Sequence, residues 1–125
     1  MRVEHIAIWT LDMERLASFY EKYFNAKRND KYRNDKGFES YFLVFDEGAR
    51  LEIMKKPSID TTLHVECIGY AHVAFSVGNR ENVISLTRRI ENDGYKVVSK
   101  PRTTGDGYFE SVILDPDGNI VEITP

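Results

Sequence analysis

The strongest constraint on this chain is that it contains one pattern twice. Val3-Glu4-His5-Ile6-Ala7-Ile8 returns as Tyr70-Ala71-His72-Val73-Ala74-Phe75 at an offset of 67. Gly48-Ala49-Arg50-Leu51-Glu52-Ile53 returns as Gly118-Asn119-Ile120-Val121-Glu122-Ile123 at an offset of 70. Self-similarity at a nearly fixed spacing marks two copies of one supersecondary unit. Each copy has a histidine near its start and a glutamate near its end, and a repeat that duplicates ligand-type residues suggests one shared site.

The periodicity within each copy gives the elements. Val3 to Thr10 alternates, with Ile6 and Ile8 on one side of a strand and His5, Ala7 and Trp9 on the other. Asp12 then reads as a helix N-cap, followed by the apolar stripe Leu16, Phe19, Tyr20, Tyr23 and Phe24 at helical spacing. In the second copy Asn79 replaces Asp12, Val83, Leu86 and Ile90 carry the stripe, and Asp93-Gly94 supplies the stop. Three strand-like runs follow each helix: about Lys27 to Arg33, Phe38 to Phe45 and Arg50 to Met54 in the first half, and about Tyr95 to Ser99, Tyr108 to Leu114 and Asn119 to Thr124 in the second. Asp46-Glu47-Gly48 and Asp115-Pro116-Asp117-Gly118 read as hairpin turns. The expected fold is therefore α+β, a single domain over 1–125 built of two βαβββ modules in tandem, about 1–56 and 68–125, with a connector at about 57–67.

Composition narrows the class. At 125 residues, 42% apolar and 30% charged, the chain has the make-up of an ordinary globular domain. A net charge of −3 and a sequence pI near 5.6 argue against a nucleic-acid partner, since Asp30 and Asp35 interrupt the basic cluster Lys27, Arg28, Lys31 and Arg33. Cys67 is the only cysteine, which excludes an intrachain disulfide and fits a reducing compartment. No secretory signal is visible, and apolar runs such as Tyr41 to Phe45 are far short of a membrane span. The expectation is a cytoplasmic protein with no membrane partner.

Period two also sharpens the site. Leu51 and Ile53 bracket Glu52, Val121 and Ile123 bracket Glu122, and the aliphatics beside His5 and His72 alternate with them. With the aliphatics turned to the helices, His5, Glu52, His72 and Glu122 all face the opposite side. Two imidazoles and two carboxylates form a donor set for one divalent ion, and Zn, Ni, Co, Fe and Mn all accept it. Two neutral histidines and two carboxylates also balance a dication, which offsets the cost of bringing two carboxylates together. His64, in the connector, has no repeat partner and reads as a surface residue.

These residues resemble the vicinal oxygen chelate superfamily, which includes glyoxalase I, extradiol dioxygenases, methylmalonyl-CoA epimerase and fosfomycin- and bleomycin-resistance proteins. The resemblance spans nearly the whole chain and is carried by His5-Ile6-Ala7-Ile8 with Phe19-Tyr20, by Gly69-Tyr70-Ala71-His72-Val73-Ala74-Phe75, and by Asp115-Pro116-Asp117-Gly118-Asn119-Ile120-Val121-Glu122. It implies mixed sheets curved around a metal-binding cleft, with one helix packed on the outer face of each. The short chain and the His-Glu-His-Glu set are most similar to bacterial glyoxalase I. That likeness implies a lyase or isomerase acting on a small substrate with adjacent oxygens through a metal-stabilised enediolate, with Glu122 as first choice of base and Glu52 as second. It also implies a homodimer in which ligands come from one chain or from two. Trp9 and Lys56 stand where glyoxalase I enzymes commonly carry an arginine and an asparagine serving glutathione, so the resemblance does not extend to that thiol.

Rival functions divide by donor count. A dioxygenase or an epoxide-opening thiol transferase uses three protein ligands, leaving Glu52 surplus, and an epimerase typically has glutamine at that position. A metal-free protein binding an aromatic or cationic small molecule, as antibiotic-binding relatives do, would line its cleft with Trp9, Tyr41, Phe45 and Phe109. Lys100 to Gly107 reads as a polar surface turn or as a lid offering Lys100 or Arg102 to an anionic substrate.

Overall fold

A computed structural model describes residues 1–61 and 68–125; His64 and Cys67 therefore lie outside the described residues. The chain divides into two compact units, Met1–Thr62 and Leu63–Pro125, each a helix packed on a sheet.

The first unit runs β1 (His5–Trp9), α1 (Met13–Phe24), β2 (Lys27–Arg28), β3 (Tyr32–Arg33), β4 (Glu39–Val44) and β5 (Arg50–Lys55). Its strand order is β1-β5-β4-β2, with β3 also paired to β4. The second runs β6 (His72–Ser76), α2 (Arg80–Asn92), β7 (Val97–Thr103), β8 (Phe109–Leu114) and β9 (Ile120–Thr124), in the order β6-β9-β8-β7. In both, the first strand pairs parallel with the last and the remaining pairs are antiparallel. The registers repeat too: Ala7 lies opposite Glu52 and Ala74 opposite Glu122.

The helices start where short polar side chains satisfy their free N–H groups. Asp12 Oδ1 accepts from Arg15 N at 3.0 Å, and Asn79 Oδ1 accepts from Asn82 N at 2.8 Å. Asn25, at φ 53°, ends α1 in the left-handed conformation that asparagine tolerates best after glycine. Leu16, Phe19 and Tyr20 are buried with Leu43, Leu51 and Ile53, while Val83 and Ile90 are buried with Ile113, Val121 and Ile123. A polar pair sits in the second core. Thr87 Oγ1 donates to the Val83 carbonyl at 2.6 Å, which leaves the Ser111 hydroxyl to donate to Thr87 Oγ1 at 2.6 Å.

Two departures from the sequence reading go beyond one or two residues at a strand end. The Lys27 to Arg33 run is two short strands, because Asn29 takes over the ladder: its N–H donates to the Phe42 carbonyl and its side-chain oxygen accepts from Phe42 N at 2.7 Å. The run expected at Tyr95 to Ser99 instead spans Val97–Thr103 and takes in Pro101. A strand tolerates proline at a sheet edge, and β7 is an edge strand with register shifts flanking Ser99.

Candidate metal centre

The alternation of β5 and β9 decides which way the candidate ligands face. Leu51 and Ile53 are buried beneath α1, so Glu52 points to the other face, and Val121 and Ile123 fix Glu122 in the same way under α2. The side chains of Glu52 and Glu122 keep 15% and 20% exposure, enough for a carboxylate to meet a ligand from outside. His5 and His72 stand on the neighbouring parallel strands, more exposed than the glutamates.

Each unit brings one histidine and one glutamate together. His5 Nε2 is 3.8 Å from Glu52 Oε2, and His72 Nε2 is 3.3 Å from Glu122 Oε2. The first separation is too long for a hydrogen bond. Both are near the spacing of about 3.0–3.5 Å that two donors adopt when each sits about 2.0–2.2 Å from one cation. Among the described residues no three His, Cys, Asp or Glu side chains converge on one point, and each unit contributes one His–Glu pair.

The turn before β9 holds that strand in register. Buried Asp115 accepts through Oδ1 from Asp117 N at 3.0 Å and Asn119 N at 2.9 Å, and through Oδ2 from Asn119 Nδ2 at 2.9 Å. Gly118, at φ +86°, completes the turn in a conformation other residues rarely adopt. Val112 then lies opposite Glu122.

Around His5 the first unit adds groups that the sequence reading missed. Glu4 Oε2 lies 2.5 Å from His5 Nδ1, and the Arg50 guanidinium pairs with the other oxygen of Glu4. The His5 hydrogen bond, helped by Arg50, holds the Glu4 carboxyl below the usual carboxylate range. Phe42, opposite Glu52, packs edge-on against the His5 ring at 5.4 Å, and Arg50 stacks on Phe42 at 4.1 Å. Arg50 Nε is buried with no hydrogen-bond partner among the described residues, so stacking and the Glu4 pair hold this side chain. A signal was present: Arg50 is two residues before Glu52, and period two puts both on one face.

The proposed pocket residues scatter. Trp9 is on the His5 face, 38% exposed, edge-on to Phe38 at 6.3 Å, with the Lys56 ammonium 4.6 Å from its ring. Tyr41 is on the opposite face: it shares the parity of buried Leu43, is itself buried, and donates its hydroxyl to Glu14 of α1 at 2.7 Å. Phe45 follows the same parity one residue beyond β4. Phe109 shares the parity of buried Ser111 and Ile113 and lies under Arg80 at the start of α2, at 4.8 Å. The aromatic-lined cleft expected from these residues thus loses Tyr41 and Phe109 to the helix sides of the sheets, with Phe45 following the parity of Tyr41, and Trp9 alone lies on the His5 face.

Lys100 and Arg102 are strand residues, not parts of a lid loop. The register shift between Ser99 and Arg102 separates their directions. Lys100 pairs with Glu91 of α2, whereas Arg102 lies opposite Glu110, donates from Nε to Ser99 Oγ at 2.9 Å, and so shares the face of Val112 and Glu122.

With this geometry in hand, comparison with known proteins decides the family. Residues 2–123 match the model of the Glyoxalase/Bleomycin resistance protein/Dioxygenase superfamily. The chain belongs to this superfamily. Bacillus subtilis (strain 168) protein YqjT is 24% identical over 129 residues, covering 97% of this chain and 96% of its own. Among solved superfamily structures, a glyoxylase/bleomycin resistance protein/dioxygenase domain from Frankia sp. EAN1pec matches with a TM-score of 0.85 and 18% identity over 99% of this chain and 96% of that one. The trypanothione-dependent glyoxalase I of Leishmania major matches with a TM-score of 0.80 and 21% identity over 99% and 86%. At these identities the structures establish the superfamily's α+β fold of two similar modules, as the repeat predicts.

Proposed function

We propose that the protein is a metal-dependent, glyoxalase-like lyase or isomerase, and that His5, Glu52, His72 and Glu122 together hold one divalent ion. The observation that carries this reading is the doubled His–Glu pair, at 3.8 and 3.3 Å, on equivalent strands with equivalent registers. One ion then needs both pairs, supplied by one chain or by two, and a homodimer is the assembly we propose. When bound, the metal supplies Lewis acidity toward two adjacent substrate oxygens. Zn, Ni, Co, Fe and Mn all suit these donors.

The remaining work belongs to the chain. Glu122 is the base that takes a proton from the carbon beside the substrate carbonyl and returns it to the neighbouring carbon, with Glu52 as second choice. Its backing by buried Val121 and Ile123 fixes the carboxylate's origin, while its partial exposure leaves room for substrate. Arg102, on the Glu122 face and 3.9 Å from Glu110, is the cation assigned to an anionic group of the substrate. Trp9 and Lys56 present an aromatic surface with one positive charge at the positions where the resemblance to glyoxalase I puts groups serving glutathione. The thiol of the hemithioacetal is therefore left open between glutathione and another thiol.

The test is turnover of methylglyoxal hemithioacetals, prepared with several thiols, by protein loaded in turn with Zn, Ni and Co. We expect catalysis with at least one pairing, abolished by a chelator and restored by the metal. Stoichiometric metal with no turnover of any hemithioacetal would overturn the lyase assignment, and a small-molecule ligand bound without metal would favour the metal-free binder.

A further inference from the structure

The two halves of the repeat do not treat their histidines alike. Glu4, immediately before His5, reaches the Nδ1 of that ring at 2.5 Å, and Arg50, beside His5 in the sheet register, pairs with Glu4. The equivalent positions in the second unit are Ala71 and Ile120. Neither side chain accepts a hydrogen bond from an imidazole, so the repeat contains its own control.

A carboxylate only accepts, so a neutral His5 that bonds Glu4 carries its proton on Nδ1. The lone pair is then on Nε2, the atom 3.8 Å from Glu52 Oε2. A free histidine side chain favours the opposite tautomer, with the proton on Nε2, where it would block coordination through that nitrogen. Phe42 adds a steric stop: its ring meets His5 edge-on at 5.4 Å, and Arg50 is clamped between that ring and Glu4.

We infer that Glu4, braced by Arg50, is a positioning residue that locks His5 in its Nδ1–H tautomer and makes it the stronger of two non-equivalent metal ligands. This deepens the proposed metal reading and rests on it. Carboxylate–imidazole pairs behind a ligating nitrogen fix the ring and raise its basicity, and losing such a partner typically weakens metal binding by about 10–100-fold. Among the described residues His72 has no such support, and the acidic side chain beside its ring is Glu122, at 3.3 Å.

The experiment has two arms on the full chain. Long-range ¹H–¹⁵N NMR of metal-free protein at mildly alkaline pH reads the tautomer of each histidine. We expect His5 as Nδ1–H and His72 mainly as Nε2–H, with His5 reverting to mainly Nε2–H in Glu4→Ala. Zn²⁺ competition against a chromophoric chelator reads affinity, with an expected loss of about 10–100-fold for Glu4→Ala. Glu4→Gln, whose amide oxygen still accepts from Nδ1, should preserve the tautomer and recover much of that loss.

His5 found as Nε2–H in the wild type, or Zn²⁺ affinity unchanged within twofold in Glu4→Ala, would overturn the inference. Unchanged dispersion of the backbone amide spectrum shows that the variant is folded. If the wild-type protein takes up no Zn²⁺, the failure belongs to the metal reading. The tautomer populations then decide the positioning role alone: a locked His5 released by Glu4→Ala supports it, and identical populations at His5 and His72 overturn it.

Discussion

At the scale of single residues, the two glutamates are predicted to separate when changed to glutamine. Glu122→Gln keeps an oxygen for the metal but loses the base, so kcat should fall by about 10²–10⁴-fold with metal content largely retained. Glu52→Gln should weaken metal binding with a smaller effect on kcat at full loading. Elemental analysis beside steady-state kinetics measures both, and a kcat for Glu122→Gln within tenfold of wild type would move the base elsewhere. The placement of Glu52 and Glu122 on the faces away from the helices was legible because aliphatic neighbours bracket each, and that of His5 and His72 because Ile6 and Ile8, and Val73 and Phe75, alternate with them at period two. Tyr41 was misread as a pocket residue although the same rule, applied from Leu43, turns it toward α1. Glu4 was not legible because period two from Val3 puts it on the face of Ile6 and Ile8, whereas the strand begins only at His5 and Glu4 turns to a tertiary contact with Arg50.

At the scale of elements, the best-written feature is the turn from Asp115 to Asn119. Removing the Asp115 carboxylate in Asp115→Ala leaves two backbone N–H groups without their acceptor, a cost of about 1–3 kcal/mol. Urea denaturation should show this loss with an unchanged m-value, and a cost below about 0.5 kcal/mol would mean that water replaces the side chain. A second prediction concerns acid. Lys31, then the Tyr41 hydroxyl and Arg28, hold Glu14 at about 2, below its ordinary 4.5. A depressed carboxylate pKa contributes stability that is present above pH 4.5 and disappears as pH falls towards 2. Glu14→Gln should therefore be less stable than wild type near neutrality, and the difference should close across that window. A gap that stays constant down to pH 2 would show that Glu14 acts through packing. The helices, their caps and most strands were legible from local periodicity, whereas the break at Asn29 and the extension of β7 through Pro101 were not. Both depend on the partner strand: Asn29 bonds back to Phe42, and Pro101 is tolerated because β7 lies at an edge.

At the scale of the whole molecule, the duplication is the organising fact. Two units of the same topology each carry a histidine on an edge strand and a glutamate on the strand beside it. Among the described residues no helix is long and apolar enough to cross a membrane. A metal bound only by the folded protein stabilises it by about 2.7 kcal/mol when present at 100 times its Kd. Thermal unfolding should accordingly move up by several degrees with Zn, Ni or Co and return with a chelator, and an unmoved midpoint with all three would count against a resident ion. The most direct measurement is the metal content of His5→Ala and His72→Ala, each purified singly and compared with the wild type. One ion per chain in the wild type and stoichiometric binding lost in both variants is the predicted result. Metal retained in full by either variant, or absent from the wild type after incubation with every candidate ion, would contradict a single site built from both halves of the repeat.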